Sequence, residues 1–226
     1  MTATERFRYD SPVILVGGGD VNWKKLDYVV DLGHPIVAVD SGAVALRTAG
    51  ILPDLIIGDM DSVSDDGSWP ATTEIIEISE QDTTDFEKCL YTVPAPLYLA
   101  FGFLGKRLDH SLATLHCLIK YRTRRSVVLI DSVDLMFIPT VPLAIVLPLN
   151  SRLSINPVAP VSFVESTGLK YPLDGLTMET GVAIGTSNTV TDARVTISPE
   201  EPQRGNYMVI TPDSSLPCVI DWYGDR

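Results

Sequence analysis

Short apolar runs alternate with segments of helical spacing through roughly the first 140 residues. Strands buried on both faces have this composition, and parallel sheets are built from them because helices cover both faces. The apolar runs are PVILVGG, PIVAVD, LIIGD, EIIEIS, PLYLAFG and SVVLID, and the helical segments are NWKKLDYVVDLG, GAVALRTAG, TDFEKCLYTV and DHSLATLHCLIKY. Gly33 and Gly50 are placed as C-terminal caps of the first two helices. This order predicts an α/β domain with a mostly parallel, Rossmann-like sheet.

The pattern changes after about Pro139, where proline becomes frequent and helical spacing disappears. Short alternating runs separated by turn residues are typical of a β-sandwich. The predicted strands are LAIVLPL, RLSINPV, VSFVES, LKYPL, GVAIGT, ARVTIS, NYMVIT and PCVIDWY. We therefore predict two domains, an α/β domain over residues 1–140 and an all-β sandwich over residues 141–226.

The composition excludes several classes of partner. The 226 residues carry a formal net charge of −12 and the isoelectric point is about 4.5, so the chain repels a nucleic-acid backbone. No apolar run approaches the roughly 18 residues of a membrane span and residues 1–10 are polar, so we expect no membrane partner and a cytoplasmic location. The three cysteines, Cys89, Cys117 and Cys218, are odd in number and far apart, which favours packing roles.

Acidic side chains follow several of the predicted strands. Asp40 ends PIVAVD, Asp59 and Asp61 follow LIIG, and Asp82 and Asp85 lie in QDTTDFEK at the start of a helix. Ligands of open α/β sheets bind beyond the carboxyl ends of the strands, so these carboxylates are expected to converge. Residues two apart in an extended segment share a face, which pairs Asp59 with Asp61. Residues three apart in a first helical turn share a face, which pairs Asp82 with Asp85.

Several carboxylates in one cleft repel each other and raise one another's pKa. Mg²⁺ relieves this repulsion, because it is a hard cation that binds carboxylates, waters and substrate phosphates together. The sequence therefore predicts a magnesium site that faces a polyphosphate. An alternative stays open, in which Asp82 or Thr84 is a helix N-cap and Asp85 or Glu87 completes a capping box. The pair after LIIG can likewise be a solvated turn.

Two further loops are candidates for the phosphate side of the site. GGGD at residues 17–20 follows the first strand, where glycines allow backbone N–H groups to approach a phosphate, although a plain tight turn explains them as well. In FGFLGKRLDH at residues 101–110, Arg107 can grip phosphate oxygens, and Asp109 can orient a hydroxyl or accept its proton. Alternatively, Asp109 caps the helix and Arg107 pairs with an acidic neighbour.

A dehydrogenase of the Rossmann type is an alternative suggested by the glycines after the first strand. Such an enzyme needs the spacing GxGxxG and an acidic residue about 20 positions later. Asp40 lies at a suitable distance, but the glycine spacing of GGGD does not match.

Taken together, the motifs resemble those of the thiamine pyrophosphokinases, also called thiamine diphosphokinases. VDSGAVAL, PDLIIGDMDS, QDTTDFEKCL, GFLGKRLDH, GLKYPL and GTSN occur in the order found in that family, from about residue 14 to residue 211. The resemblance implies transfer of a pyrophosphoryl group from ATP to the hydroxyl of thiamine, which gives thiamine diphosphate and AMP. It also implies a homodimer with sites between the subunits.

The resemblance also implies roles for individual residues. Asp40, Asp59, Asp61 and Asp85 are similar to the carboxylates that handle Mg²⁺ and phosphate, and Asp59, Asp61, Asp85, Arg107 and Asp109 form the implied catalytic set. The implied substrate-site residues are Asp40, Ser41, Gln81, Asp82, Lys106, Tyr171, Ser187 and Asn188. Tyr171 would stack on thiamine, with an ordinary core position as the alternative.

Two residues depart from the family pattern. Ser41 stands where the family commonly has glycine in its DGGA motif, and Lys106 replaces the second glycine of GGRxDH. Both positions lie near the implied phosphates, so a thiamine or nucleotide sensor without turnover is a further alternative.

Overall fold

The computed structural model describes residues 7–60 and 69–225. The chain divides into two compact units: the first runs to Tyr121 and includes Val127–Ser132, and the second contains Arg122–Ser126 and the residues from Val133 onward. The division precedes the change of composition near residue 140, because the strand Asp134–Phe137 pairs within the second unit. The assignment of separate functions to residues 1–140 and 141–226 stays a prediction.

All six strands and four helices predicted for the first unit are present. The strands are β1 (Val13–Val16), β2 (Ile36–Val39), β3 (Leu55–Gly58), β4 (Glu74–Glu77), β5 (Tyr98–Phe101) and β6 (Val127–Ile130). The helices are α1 (Trp23–Val30), α2 (Gly42–Thr48), α3 (Asp85–Thr92) and α4 (Leu108–Tyr121). Gly33 and Gly50 have φ angles of 77° and 75°, the left-handed conformation of a C-terminal cap.

The sheet of the first unit is parallel throughout, in the order β4-β3-β2-β1-β5-β6. Every residue of β1, β2, β3, β5 and β6 is buried. The burial predicted for EIIEIS is wrong, because β4 is the exposed edge strand and has glutamate at both ends. The chain proceeds from β1 towards one edge of the sheet and returns to the other side of β1 at β5. The switch point of the topology therefore lies between β1 and β5, where ligands of such sheets bind.

The second unit contains two antiparallel sheets, as expected for a sandwich. One has the order β12-β9-β14-β7 and the other β11-β10-β13-β8. Phe163 of β10 and Tyr207 of β14 pack edge to face, with ring centroids 5.3 Å apart, so side chains of the two sheets meet in a common core. The strands are β7 (Asp134–Phe137), β8 (Leu143–Val146), β9 (Arg152–Pro157), β10 (Val161–Thr167), β11 (Thr177–Met178), β12 (Gly185–Thr189), β13 (Arg194–Pro199) and β14 (Tyr207–Pro212).

Three strands predicted for this unit are wrong in whole or in part. PCVIDWY belongs to a helix, α5 (Leu216–Gly224), with proline in its first turn and with Leu216, Val219 and Trp222 buried at a spacing of three. Short apolar runs do not distinguish strand from helix, and here the helical spacing decides. LKYPL forms a single bridge at Leu169, and GVAIGT enters a strand only at Gly185.

Cys89 and Cys117 are buried and Cys218 is half-buried, and all three are free thiols. None of the helices in the described part of the chain is both long and apolar enough to cross a membrane.

Candidate functional site

A cleft of about 440 Å³ opens at the switch point of the parallel sheet. Its walls come from the loops that follow β1, β2 and β5 and from the first turns of α3 and α4. The lining residues are Gly17, Gly18, Gly19, Val39, Asp40, Ser41, Thr84, Asp85, Phe86, Gly102, Phe103, Leu104, Gly105, Lys106, Arg107, His110, Ala113 and Thr114. Carboxylates, glycines and basic side chains thus face one cavity.

The glycines after β1 are needed for contact between two loops. Gly17 N–H donates to Phe101 O at 2.8 Å, and Gly19 N–H donates to Gly102 O at 2.6 Å. A Cβ atom on Gly17 or Gly19 would lie 2.7 or 2.6 Å from Gly102 O, which no side chain tolerates. Two of the three glycine N–H groups are therefore bonded to the last residue of β5 and the residue after it, which leaves them unavailable to a phosphate.

The structure brings three of the predicted carboxylates into one electrostatic environment. Burial raises the pKa of Asp85, and the charges of Asp40 and Asp59 raise it further, although a hydrogen bond from Lys88 opposes them. Asp40 has a left-handed φ of 47°, and its buried Oδ1 atom has no hydrogen-bond partner among the described residues. An orphaned carboxylate oxygen beside two other acids suits a hard cation.

The local geometry after β3 differs from the sequence-based expectation. Met60 has a φ of 64°, so the chain turns there and the extended alternation predicted for Asp59 and Asp61 is wrong at that residue. Asp61 lies outside the described residues. Within residues 7–60 and 69–225, no three His, Cys, Asp or Glu side chains stand close enough together to hold a metal ion. The predicted ligand roles therefore stay predictions.

The segment before α3 places Gln81 and Asp82 differently. Gln81 Nε2 donates to Asp59 Oδ2 at 3.2 Å, which ties this segment to the end of β3. Asp82 is exposed and precedes the helix, so helical spacing does not pair it with Asp85. Thr84 is the N-cap and accepts a hydrogen bond from Glu87 N–H at 3.2 Å, as one of the sequence alternatives proposed.

Glu80 organises the same segment and was not singled out from the sequence. Its carboxylate accepts hydrogen bonds from the backbone N–H groups of Asp82 and Thr83, at 2.8 and 3.1 Å, and from Tyr91 Oη at 3.1 Å. A hydrogen bond from the Thr83 hydroxyl is the main cause that lowers the pKa of Glu80. Glu80 therefore fixes the turn that presents Gln81 to Asp59.

Lys88 is a second residue that sequence reasoning missed. Its side chain is 2% exposed, and its Nζ atom lies 3.0 Å from Asp85 Oδ1. Burial alone would lower the pKa of Lys88, but the hydrogen bond and charge of Asp85, with the charges of Asp59 and Glu80, raise it. The available signal was the spacing of three residues between Asp85 and Lys88 on one helix.

Arg107 and Asp109 pair with each other at the rim of the cleft. Arg107 Nη2 lies 2.6 Å from Asp109 Oδ2, and Arg107 Nε lies 3.1 Å from Asp109 Oδ1. Asp109 also accepts from His110 N–H at 3.0 Å, and its pKa is lowered mainly by the hydrogen bond from Arg107. This arrangement matches the alternative from the sequence in which Arg107 pairs with an acidic neighbour.

Both residues that depart from the family pattern contact Gly18. Lys106 Nζ donates to Gly18 O at 2.8 Å. The Ser41 hydroxyl lies so close that a Cβ atom on Gly18 would be 1.9 Å from Ser41 Oγ. Ser41 and Lys106 are thus part of the cleft wall.

In the second unit, Tyr171 and Asn188 lie together. Tyr171 is 59% exposed, which excludes the core alternative, and Lys170 Nζ lies 5.4 Å from its ring centroid. Asn188 is buried and hydrogen-bonded to the Tyr171 backbone. Ser187 is exposed with a left-handed φ of 61°, at an irregularity in the pairing of β12 with β9.

The fold and the cleft define a class: an α/β unit with a cleft at the switch point of its sheet, joined to a β-sandwich unit. Within this class, residues 27–130 match the family model of the thiamin pyrophosphokinase catalytic domain, and residues 147–203 match that of the vitamin B1 binding domain. Thiamine pyrophosphokinase 1 of Arabidopsis thaliana is 32% identical over 72% of this chain and 67% of its own length. The chain belongs to the thiamine pyrophosphokinase family.

Other comparisons agree with this assignment. Thiamine pyrophosphokinase 1 of Oryza sativa subsp. japonica is 30% identical over 65% of this chain and 62% of its own length, so the chain spans about two thirds of the plant relatives it matches. The crystal structure of thiamine pyrophosphokinase from Bacillus subtilis has a TM-score of 0.73 at 26% identity, covering 89% of this chain and 98% of that one. The Candida albicans structure is similar in fold, with a TM-score of 0.74 at 17% identity, over 90% of this chain and 88% of that one.

Proposed function

We propose that this chain transfers a pyrophosphoryl group from ATP to thiamine, which gives thiamine diphosphate and AMP. The hydroxyl oxygen of thiamine attacks the β-phosphorus of ATP. The bond from that phosphorus to the oxygen shared with the α-phosphorus breaks, and AMP leaves with this oxygen. The hydroxyl proton is released in the same reaction. Transfer of this type demands alignment and charge neutralisation more than covalent work by the protein.

The observation that carries this proposal is the match of both parts of the chain, in order, to the two domain families of thiamine pyrophosphokinase. The cleft supports it independently, because Asp40, Asp85 and basic side chains line a cavity at the switch point of the sheet. The dehydrogenase alternative has no comparable support, since Gly17 and Gly19 donate their N–H groups to the β5 loop.

We further propose Mg²⁺ as the cofactor, with Asp40, Asp59, Asp61 and Asp85 as its protein ligands. The unpartnered Oδ1 atom of Asp40 and the raised pKa of Asp85 beside two acids support a hard cation there. When bound, such an ion supplies positive charge that offsets the charge of the phosphates.

The remaining roles are proposals of the same kind. Asp59, Asp61, Asp85, Arg107 and Asp109 form the proposed catalytic set, in which Arg107 contributes a planar cation and Asp109 orients the thiamine hydroxyl or accepts its proton. The proposed substrate-site residues are Asp40, Ser41, Gln81, Asp82, Lys106, Tyr171, Ser187 and Asn188. For Tyr171, the exposed ring supports stacking against the flat, cationic rings of thiamine.

We also propose a homodimer with sites at the subunit interface, and the cytoplasmic location stays a prediction. Exposed apolar side chains of the second unit support the dimer, because contact with a second copy would remove them from water. They are Val146, Val164, Tyr171, Leu176, Val182 and Ile184. Light scattering after gel filtration tests the dimer, and a monomeric mass at micromolar concentration would contradict it.

The reaction is tested by incubating the purified chain with ATP, Mg²⁺ and thiamine and quantifying AMP and thiamine diphosphate by chromatography. We expect equal amounts of the two products, none in EDTA, and a loss of about 100-fold or more in Asp85→Asn. The matched control is Asp27→Asn, an exposed aspartate on α1. If the wild-type chain binds thiamine but releases no AMP, the sensor alternative replaces the enzyme.

A further inference from the structure

Lys106 has a backbone conformation that its side chain does not favour. Its φ is 49°, in the left-handed region, and the preceding Gly105 has a φ of 77°. Glycine adopts these angles without strain, whereas a residue with a Cβ atom is destabilised there. Strained residues of this kind persist at functional sites, so the outlier raises the question of what the lysine side chain does.

Lys106 differs from Arg107 and Lys88 in the charge of its hydrogen-bond partner. The guanidinium of Arg107 is neutralised by Asp109, at 2.6 Å, and the buried ammonium of Lys88 is neutralised by Asp85, at 3.0 Å. The ammonium of Lys106, in contrast, donates to the uncharged backbone oxygen of Gly18 and is exposed. Of these three cations, Lys106 is the one whose observed partner carries no formal charge.

The contact with Gly18 holds the ammonium at the cleft wall. Gly18, Ser41 and Lys106 all line the cavity, and the Ser41 hydroxyl packs directly against Gly18. A hydrogen bond to a neutral carbonyl is weaker than one to a phosphate oxygen, because the second has charge on both partners. An exposed lysine side chain can exchange a bond to a carbonyl oxygen for a bond to a phosphate oxygen by rotating about its own single bonds.

We propose that Lys106 binds the phosphates of the donor: its ammonium is held on Gly18 O when the cleft is empty and moves to a polyphosphate oxygen of ATP when the nucleotide binds. This inference rests on the proposed function, since ATP is the ligand it names. Where the resemblance implies a glycine, this chain has a cation at the cleft wall.

The test separates the charge of Lys106 from its backbone strain. Lys106→Met removes the ammonium and keeps a Cβ atom at the left-handed position, whereas Lys106→Gly removes both. Lys24→Met, an exposed lysine on α1, controls for net charge, and Asn150→Gly, at a φ of 64° in the second unit, controls for relief of strain. Dissociation constants for ATP with Mg²⁺ are measured by calorimetry at low and high salt, beside the KM values for ATP and thiamine.

We expect both Lys106 variants to bind ATP about tenfold or more weakly, as loss of a charged hydrogen bond predicts. Their affinity should also decline less with salt, while the KM for thiamine and the affinities of both controls stay unchanged. Equal ATP affinity in wild type and Lys106→Met would overturn the inference, as would weakening in Lys106→Gly alone. Because ATP binding is read directly, a wild-type chain that binds ATP but releases no AMP refutes the proposed reaction and still tests Lys106. A wild-type chain that binds no ATP refutes both.

Discussion

The side chain of Asn188 is hydrogen-bonded to both polar groups of the Tyr171 backbone. Its Oδ1 atom accepts from Tyr171 N–H at 3.0 Å, and its Nδ2 atom donates to Tyr171 O at 2.7 Å. The Oδ1 atom also accepts from Thr189 N–H at 2.8 Å. These bonds engage both ends of the Asn188 amide. We therefore propose that Asn188 is a positioning residue, which holds Tyr171 in the thiamine site.

Asn188→Ala should therefore weaken thiamine binding and stability together. Loss of buried hydrogen bonds to the Tyr171 backbone is expected to lower the free energy of unfolding by about 2 kcal/mol. Thiamine affinity, measured by calorimetry, should fall towards that of Tyr171→Ala, while ATP affinity stays unchanged. Asn156→Ala, an exposed asparagine on β9, is the matched control. Thiamine affinity equal to wild type in Asn188→Ala would show that Tyr171 does not depend on it.

Lys88 stabilises the acidic end of the cleft from within the protein. Lys88→Met leaves Asp85 without its buried counter-charge, so we expect a loss of about 3 kcal/mol or more in the free energy of unfolding. The double variant Lys88→Met/Asp85→Asn should recover part of this loss, because it removes the uncompensated carboxylate. Urea denaturation of wild type, Lys88→Met, Asp85→Asn and the double variant gives the coupling energy. Additive effects of the two substitutions would mean that the pair contributes no coupling.

Glu87 should make stability sensitive to acid. Burial alone would raise the pKa of Glu87, but hydrogen bonds from Lys120 Nζ at 2.5 Å and Tyr121 Oη at 3.0 Å lower it below its ordinary 4.5. A lowered pKa in the folded state contributes stability above the unfolded value, and this contribution is lost as pH falls through the folded value.

The measurement is the free energy of unfolding of wild type and Glu87→Gln from about pH 7 to about pH 3. We expect the variant to be about 2 kcal/mol less stable at neutral pH and the difference to shrink below about pH 4.5. A difference that is constant over this range would refute the lowered pKa. Glu165→Gln, an exposed glutamate on β10, is a suitable control.

Gly18 and Ser41 should be coupled by steric exclusion. Gly18→Ala places a Cβ atom 1.9 Å from Ser41 Oγ, so the hydroxyl must move, and we expect a loss of about 1–3 kcal/mol in stability. Ser41→Gly in the same chain removes the obstacle and should restore most of the loss. Gly224→Ala, where a Cβ atom meets nothing within 4 Å, is the control. Thermal or urea unfolding gives the stability of wild type, Gly18→Ala, the double variant and Gly224→Ala. If Ser41→Gly fails to restore the stability of Gly18→Ala, the contact is contradicted.

The sequence predicts the first unit better than the second, for a physical reason. Strands such as VILV and VVLI are buried on both faces, so apolar content alone identifies them. In the second unit, half-buried strands and a short amphipathic helix have similar apolar runs. The strand predicted for PCVIDWY is wrong for this reason, because the segment is helical. The loop at Met60 was also mispredicted, because left-handed conformations of residues other than glycine leave no pattern in a sequence.

For the site, residues next to strand ends were predictable and long-range contacts were not. Asp40 and Asp59 follow from topology, because carboxyl ends of parallel strands meet at one edge, and Asp85 begins the helix that follows β4. The bond from Lys106 to Gly18 joins residues 88 positions apart and depends on a strained loop, so no local pattern reveals it. The same holds for Asn188 of β12, whose partner Tyr171 lies 17 positions away along the chain.

The close approach of the two loops at Gly17, Gly19 and Gly102 has an evolutionary consequence. Backbone oxygens occupy the space that any side chain at these positions would need, so point mutation cannot remodel that part of the cleft without separating the loops. The shape of this part of the cleft is therefore set by backbone atoms of the two loops, whichever side chains surround it.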